Sequence, residues 1–178
     1  MGINLRIVKD DGGQIKPEEI GEIQIQGPNL MKEYWKKPEE TAEAFKGGWF
    51  HTGDLATIDD KGYVFIMDRK KDMIISGGFN IYPREVEDVL MAHQDVVEAG
   101  VIGMPDDVWG ESVKAFVVKK QGAAVTGEAL IQFCKENLAS YKKPKSIDFI
   151  DELPKNAYGK VLRKELKEPF WKGLDRRV

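Results

Sequence analysis

Along the first part of the chain, apolar and polar residues alternate with a period of two; beyond about residue 70 the spacing becomes helical between β-branched runs. Leu5 and Ile7 alternate with polar neighbours, as do Ile23 and Ile25 across the turn sequence DDGGQ at 10–14, which predicts short strands and hairpins. A further strand, Tyr63-Val64-Phe65-Ile66, is predicted after the tight turn at 59–62. Between these strands Pro38 opens a helix carrying Glu39, Glu40, Thr41 and Glu43 in its early turns, where acids suit the positive helix end. This β-rich unit is too small to be a complete domain, and its early strands are expected to pair with or pack on chain further upstream.

Pro83 opens a second predicted helix, with Val86, Val89 and Leu90 on its apolar face and Glu85, Glu87 and Asp88 turned outward. Two β-branched runs follow at 96–102 and 113–118, separated by the turn-rich MPDDVWGE at 104–111. A helix capped by Thr126 is expected to run through Leu138, and a short strand at 146–150 leads into a polar loop carrying Lys160. The expected class is α+β: a β-rich piece, then a small domain of three strands with helices on one side. The boundary falls in Asp68-Arg69-Lys70-Lys71-Asp72, a charged run that reads as a solvated turn and a place for a hinge.

Composition narrows the function classes. The chain has 178 residues, 42% hydrophobic and 32% charged, and a net charge of -3, so nothing in it pulls toward nucleic acid or an anionic membrane. The aromatic residues are not interleaved with basic ones, which argues further against a nucleic-acid surface. Cys134, the single cysteine, sits in an amphipathic pattern with Leu130, Phe133 and Leu138; it reads as buried packing and excludes an intramolecular disulfide. No apolar run reaches a membrane span or a signal peptide, and a cytoplasmic setting is expected.

Few residues carry a chemical signal. Asp54 beside Gly53 either satisfies backbone amides at a turn or accepts two hydrogen bonds from a ribose diol. SGGFN, residues 76–80, lacks the spacing of a phosphate loop; its paired glycines mark a strand passed closely by another backbone or by a thin ligand. Lys160 follows Gly159 in a loop read as mobile, so its ammonium is either merely solvated or free to swing toward a developing negative charge. His51 and His93 have no metal-ligand spacing, so no metal site is predicted, and Ser76 and Ser112 lack the context of a nucleophile.

Taken in order, GWFHTGDLATIDDKGY, DRKKDMIISGGFNIYPREVE, MPDDVWGE and LPKNAYGKVLRKEL resemble motifs of the adenylate-forming superfamily, which includes acyl-CoA synthetases, firefly-type luciferases and nonribosomal peptide adenylation domains. The resemblance runs from residue 21 to residue 166, and GGFNIYPREVE is most similar to medium- and long-chain fatty acyl-CoA ligases. It implies that residues 1–68 end a large N-terminal domain as an incomplete β-barrel-like subdomain. By the same resemblance 69–72 is a hinge, 73–170 a small mobile domain and 171–178 a tail. Asp54 would bind the ribose hydroxyls of ATP, Arg69 the ribose or phosphates, and Lys71 would occupy the hinge. Lys160 would bridge carboxylate and α-phosphate oxygens during adenylation. Ser76, Gly77, Gly78 and Phe79 would line the tunnel through which the pantetheine of CoA reaches the acyl-adenylate.

The substrates implied are ATP, a fatty acid and CoA, with Mg2+ held outside this chain. Ile75 departs from luciferase-like members, which carry lysine there; this fits a CoA ligase. The phosphate-gripping loop and the acyl pocket are missing, so the chain reads as a C-terminal fragment, inactive alone, that works with an N-terminal domain. Two alternatives stay open: an adenylation domain loading a carrier protein, and a non-catalytic binding or interaction module.

Overall fold

The computed structural model describes residues 2–174, which divide into two compact units between Lys71 and Asp72. In the first unit β1 (Asn4–Val8), β2 (Gly21–Gln26), β3 (Phe50–Ile58) and β4 (Val64–Arg69) form an antiparallel sheet in chain order. Leu5 pairs with Ile25 and Ile7 with Ile23, so the period-two pattern delivers Ile7 and Ile23 to a small core with Ala56. α1 (Pro38–Ala44) buries none of its residues, and Phe65 and Ile66, on opposite faces of β4, stay exposed.

The charged run does not behave as a solvated turn. Asp68 and Arg69 complete β4, Lys70–Asp72 form one turn of 3-10 helix, and Asp68 is buried. Strand alternation sends its side chain inward opposite Leu55, where Oδ1 accepts the Arg69 N–H at 2.7 Å.

The second unit contains β5 (Ile74–Ser76), β6 (Phe79–Ile81), α2 (Pro83–Met91), β7 (Val96–Asp106), β8 (Gly110–Lys119), α3 (Gly127–Asn137), β9 (Ser146–Phe149) and α4 (Arg163–Trp171). The α+β class is as expected, but the sheet has five strands: β6-β5-β8-β7, with β9 parallel to β8. Three-residue strands such as β5 and β6 carry too little pattern to be read from sequence, although they build half the glycine-rich segment.

The long β7–β8 hairpin is covered on both faces, not one. Ala99, Val101, Val113, Ala115 and Val117 meet Val86 and Leu90 of α2 and Leu130 and Cys134 of α3. Their alternates Ile102 and Phe116 meet Leu153 and Leu166, the latter on α4. A Cβ at Gly100 would stand 2.9 Å from Leu153 Cδ2, so any larger residue there makes the second layer shift. Because α4 buries only Leu166 fully, its amphipathic signal is weak and the second face is not legible in the pattern.

Thr126 caps α3 as predicted, its hydroxyl accepting the Ala129 N–H at 3.2 Å. Glu87, expected to face solvent, is buried at 6% exposure and accepts the Val101 N–H at 2.8 Å. α4 extends through Trp171, whose indole donates to the Gly103 carbonyl at 2.9 Å; of the predicted tail, 175–178 lie outside the described residues.

Candidate active site

In the first unit the sheet register brings together Asp54 and Arg69, the two residues expected to meet a nucleotide. Asp54 on β3 stands opposite Arg69 on β4, and Arg69 Nε donates to Asp54 Oδ1 at 2.9 Å. The approach to Asp54 is shaped by Gly53, whose φ of +71° places it in the left-handed region. Thr52 Oγ1 donates to the Ile23 carbonyl at 2.8 Å and accepts the Asp54 N–H at 3.0 Å, while Glu22 Oε1 accepts the Gly53 N–H at 3.2 Å. The sequence offered no sign of this Glu22 anchor, because a bulge between Glu22 and Gln24 re-aims the strand.

Beside the pair lies a hollow of about 330 Å³ lined by Thr52, Gly53, Arg69, Lys70 and Lys71. Three cations on one small hollow suit an anionic ligand such as a phosphate. Lys71, the predicted hinge residue, is exposed there. Lys70 is tied to Asp10 at 2.7 Å and Glu22 at 3.6 Å, and the Asp10 hydrogen bond first of all holds its ammonium pKa above the ordinary lysine value. A larger hollow of about 830 Å³ adjoins it, lined by Glu22, His51 and Lys70 among others. The smaller one carries the residues with recognisable chemistry.

In the second unit Ser76 and Phe79 pair across a two-residue turn whose Gly77 and Gly78 both have positive φ, +57° and +82°. The paired glycines therefore make a tight hairpin; they do not lie within a strand. Gly-Gly flanked by apolar alternation was the available cue. Gly77 donates its N–H to the Trp109 carbonyl at 2.9 Å, and a Cβ on Gly77 would lie 2.6 Å from Trp109 Cε3. Gly78 faces open space, and Phe79 stacks on Tyr141 at 4.6 Å between ring centroids.

The Lys160 loop is a closed turn. Asn156 N–H donates to the Lys160 carbonyl at 2.9 Å, and Asn156 Oδ1 accepts the Tyr158 and Lys160 N–H groups at 3.0 Å each. Gly159, at φ +78°, completes it, and the Lys160 side chain projects from it exposed. On one flank Lys155 pairs with Glu98 of β7. On the other, Arg163 Nη2 reaches both Glu87 oxygens at 2.7 and 2.8 Å and Nη1 reaches Asp72 at 3.7 Å.

The structure thus brings Asp54 and Arg69 together but keeps Lys160 and the glycine hairpin apart. Glu98 lies near the start of β7, whereas the hairpin meets β8 at Gly110, opposite Asp106 at the far end of β7. Eight residues of strand separate these anchors, about 27 Å at ~3.4 Å per residue. Cys134 takes no part: it is buried, and burial pushes its thiol pKa up to about 11. Among the described residues no cluster of three His, Cys, Asp or Glu side chains is placed to hold a metal ion. No described helix is long and apolar enough to cross a membrane.

Residues 85–160 match the family described as AMP-binding enzyme C-terminal domain. The second unit therefore carries an AMP-binding enzyme C-terminal domain, the small domain of adenylate-forming enzymes. The chain is 53% identical over 157 residues to the 2-succinylbenzoate–CoA ligase of Geobacillus kaustophilus (strain HTA426), covering 88% of this chain and 32% of that protein. It is 49% identical over 163 residues to the long-chain-fatty-acid–CoA ligase of Salmonella typhimurium, covering 92% and 29%. Among solved structures it resembles ATP-bound MatB from Rhodopseudomonas palustris, with a TM-score of 0.91, 40% identity and coverage of 98% of this chain and 35% of that one. The chain spans about a third of the length of the relatives it matches.

Proposed function

We propose that this chain belongs to an acid–thiol ligase that first joins a carboxylic acid to the α-phosphate of ATP, releasing pyrophosphate, and then transfers the acyl group to the thiol of CoA, releasing AMP. The observation that carries the proposal is that the base of the exposed lysine's turn and the glycine hairpin are anchored eight residues apart along one strand, Lys155 on Glu98 and the hairpin opposite Asp106. A rigid unit built this way can present one end to the adenylation step and, after turning, the other to the thiol step. In the first step the Lys160 ammonium neutralises charge developing between the carboxylate and the α-phosphate. At ~4 Å in a partly shielded site, such an attraction amounts to about 4 kcal/mol. Asp54 and Arg69 hold the ribose and phosphates, and Lys71 lies at the pivot. In the second step Ser76, Gly77, Gly78 and Phe79 line the passage for pantetheine, with Gly78 leaving room for a thin chain. Mg2+ belongs with the triphosphate and is held by residues outside this chain, as is the acyl pocket.

For the acid we propose a medium- or long-chain fatty acid, supported by the wording of residues 77–87 and by the long-chain-fatty-acid–CoA ligase relatives. Aromatic acids are the second reading, favoured by relatives named 2-succinylbenzoate–CoA ligase and feruloyl-CoA synthase. The test is CoA-dependent release of AMP by the full-length enzyme with ATP and a panel of fatty, succinylbenzoate-like and cinnamate-like acids. Turnover with fatty acids alone supports the first reading, and turnover confined to aromatic acids replaces it with the second. AMP release that needs a carrier protein in place of CoA overturns the ligase assignment. The 178 residues by themselves are expected to release no pyrophosphate above background.

A further inference from the structure

A carboxylate buried to 1% exposure stands beneath the glycine hairpin and has no part in the chemistry above: Glu111, the first residue after the hairpin's contact with β8. β5 and β8 share a single ladder pair, Ser76 with Gly110, too few to fix a three-residue strand. Glu111 supplies what the ladder lacks, its Oε2 accepting the Ile75 N–H at 2.9 Å. β7 makes room for this group: a Cβ on Gly103 would lie 2.9 Å from Glu111 Oε2. Burying a carboxylate is costly, and an apolar side chain would fill the same space without that cost. Two residues earlier, the Trp109 carbonyl takes the Gly77 N–H, and Asp106 Oδ1 takes the N–H groups of Val108 and Trp109 at 3.1 and 3.2 Å.

We infer that Glu111 is a positioning residue for thioester formation, setting the height of β5 and so the aim of the Gly77–Gly78 turn. This rests on the CoA-ligase reading. The charge makes the bond to Ile75 stronger than a neutral acceptor would, so the hairpin is held without further ladder pairs.

The decisive comparison sets Glu111→Met, which removes the acceptor, against Glu111→Gln, which keeps an oxygen of the same reach. In the full-length enzyme Glu111→Met is expected to lower kcat for thioester formation from supplied acyl-adenylate by about tenfold or more. Pyrophosphate release is expected to stay within about twofold, and Glu111→Gln to recover most of the thioester rate. In the 178-residue chain, amide exchange at Ile75 and Gly77 is expected to quicken by about tenfold in Glu111→Met and much less in Glu111→Gln. Equal losses in both half-reactions, or unchanged exchange at Ile75, overturn the inference. If Glu111→Met does not fold, Glu111→Gln decides: weakening a charge-assisted bond predicts a small loss in the thiol step alone with quicker exchange at Ile75, and exchange at Ile75 unchanged from wild type overturns the inference. A wild-type enzyme that forms no thioester breaks the ligase reading, and the exchange data still decide whether Glu111 sets the hairpin.

Discussion

The two ends of the β7–β8 hairpin are held by different physics. At the tip, the glycine turn is fixed by backbone N–H groups meeting a buried carboxylate and the Trp109 carbonyl. At the other end, the Lys160 turn is fixed by its own Asn156 and by side-chain ion pairs, Lys155 with Glu98 and Arg163 with Glu87 and Asp72. The tip depends on short hydrogen bonds with little freedom, which suits a passage that must keep its width. The lysine end leaves a long side chain exposed above a rigid base, which suits a charge that must reach a reacting group. Sharing a sheet but no holding group, the two ends should be separable by mutation.

The largest separation is expected from Lys160→Ala. In the full-length enzyme it should slow adenylation, read as pyrophosphate release, by roughly a hundredfold to a thousandfold. Thioester formation from supplied acyl-adenylate should change by no more than a few-fold; equal loss in both steps would sink the assignment of one end to each step. Arg163→Ala comes next, since it removes the guanidinium that meets both oxygens of the buried Glu87 carboxylate. Urea unfolding should show about 3 kcal/mol lost, and a loss under about 1 kcal/mol would mean that the remaining partners of Glu87, the Val101 amide among them, hold it without Arg163.

At the tip, Gly78→Leu forces a branched residue into a φ of +82° and fills the open side of the turn. Thioester formation should fall by about tenfold or more with adenylation little changed, the mirror image of Lys160→Ala.

The smallest effect is a pH dependence confined to the tip. The Lys145 ammonium, at 2.7 Å, is the first cause holding the Asp106 carboxyl at about 2, with the Val108 amide next. A lowered carboxyl pKa stabilises the folded form above the ordinary value of 3.8, and that contribution is lost as pH falls toward about 2. Protection of the Val108 and Trp109 amides, taken relative to their intrinsic exchange rate at each pH, should therefore fall across that window in the wild-type chain. In Asp106→Asn it should be low already and flat across the same window; a wild-type profile without the step would remove Asp106 from the account of the tip.

Legibility in the sequence followed how local each interaction is. Three first-unit strands, β1, β2 and β4, the Pro38 and Pro83 helix starts and the Thr126 cap depend on neighbours a few residues apart, and pattern alone predicts them, whereas β3 is not read from the pattern. Asp54, Arg69 and Lys160 stood out because the surrounding motifs resemble known ones. Glu22, Glu87, Glu111 and Arg163 did not. Their partners lie 14 to 76 residues away, and a buried glutamate has the same letter as a solvated one.

By itself the sequence determined the α+β class, the change of character near residue 70 and a short list of candidate site residues. Only the tertiary structure decided that Asp54 faces Arg69, that the paired glycines turn a hairpin, and that Lys155, at the base of the Lys160 turn, pairs with Glu98, eight residues along β7 from the hairpin's contact. The physical reason is register: hydrophobic period says which face a strand buries, but ladder pairing and buried charge decide which distant residues meet across it.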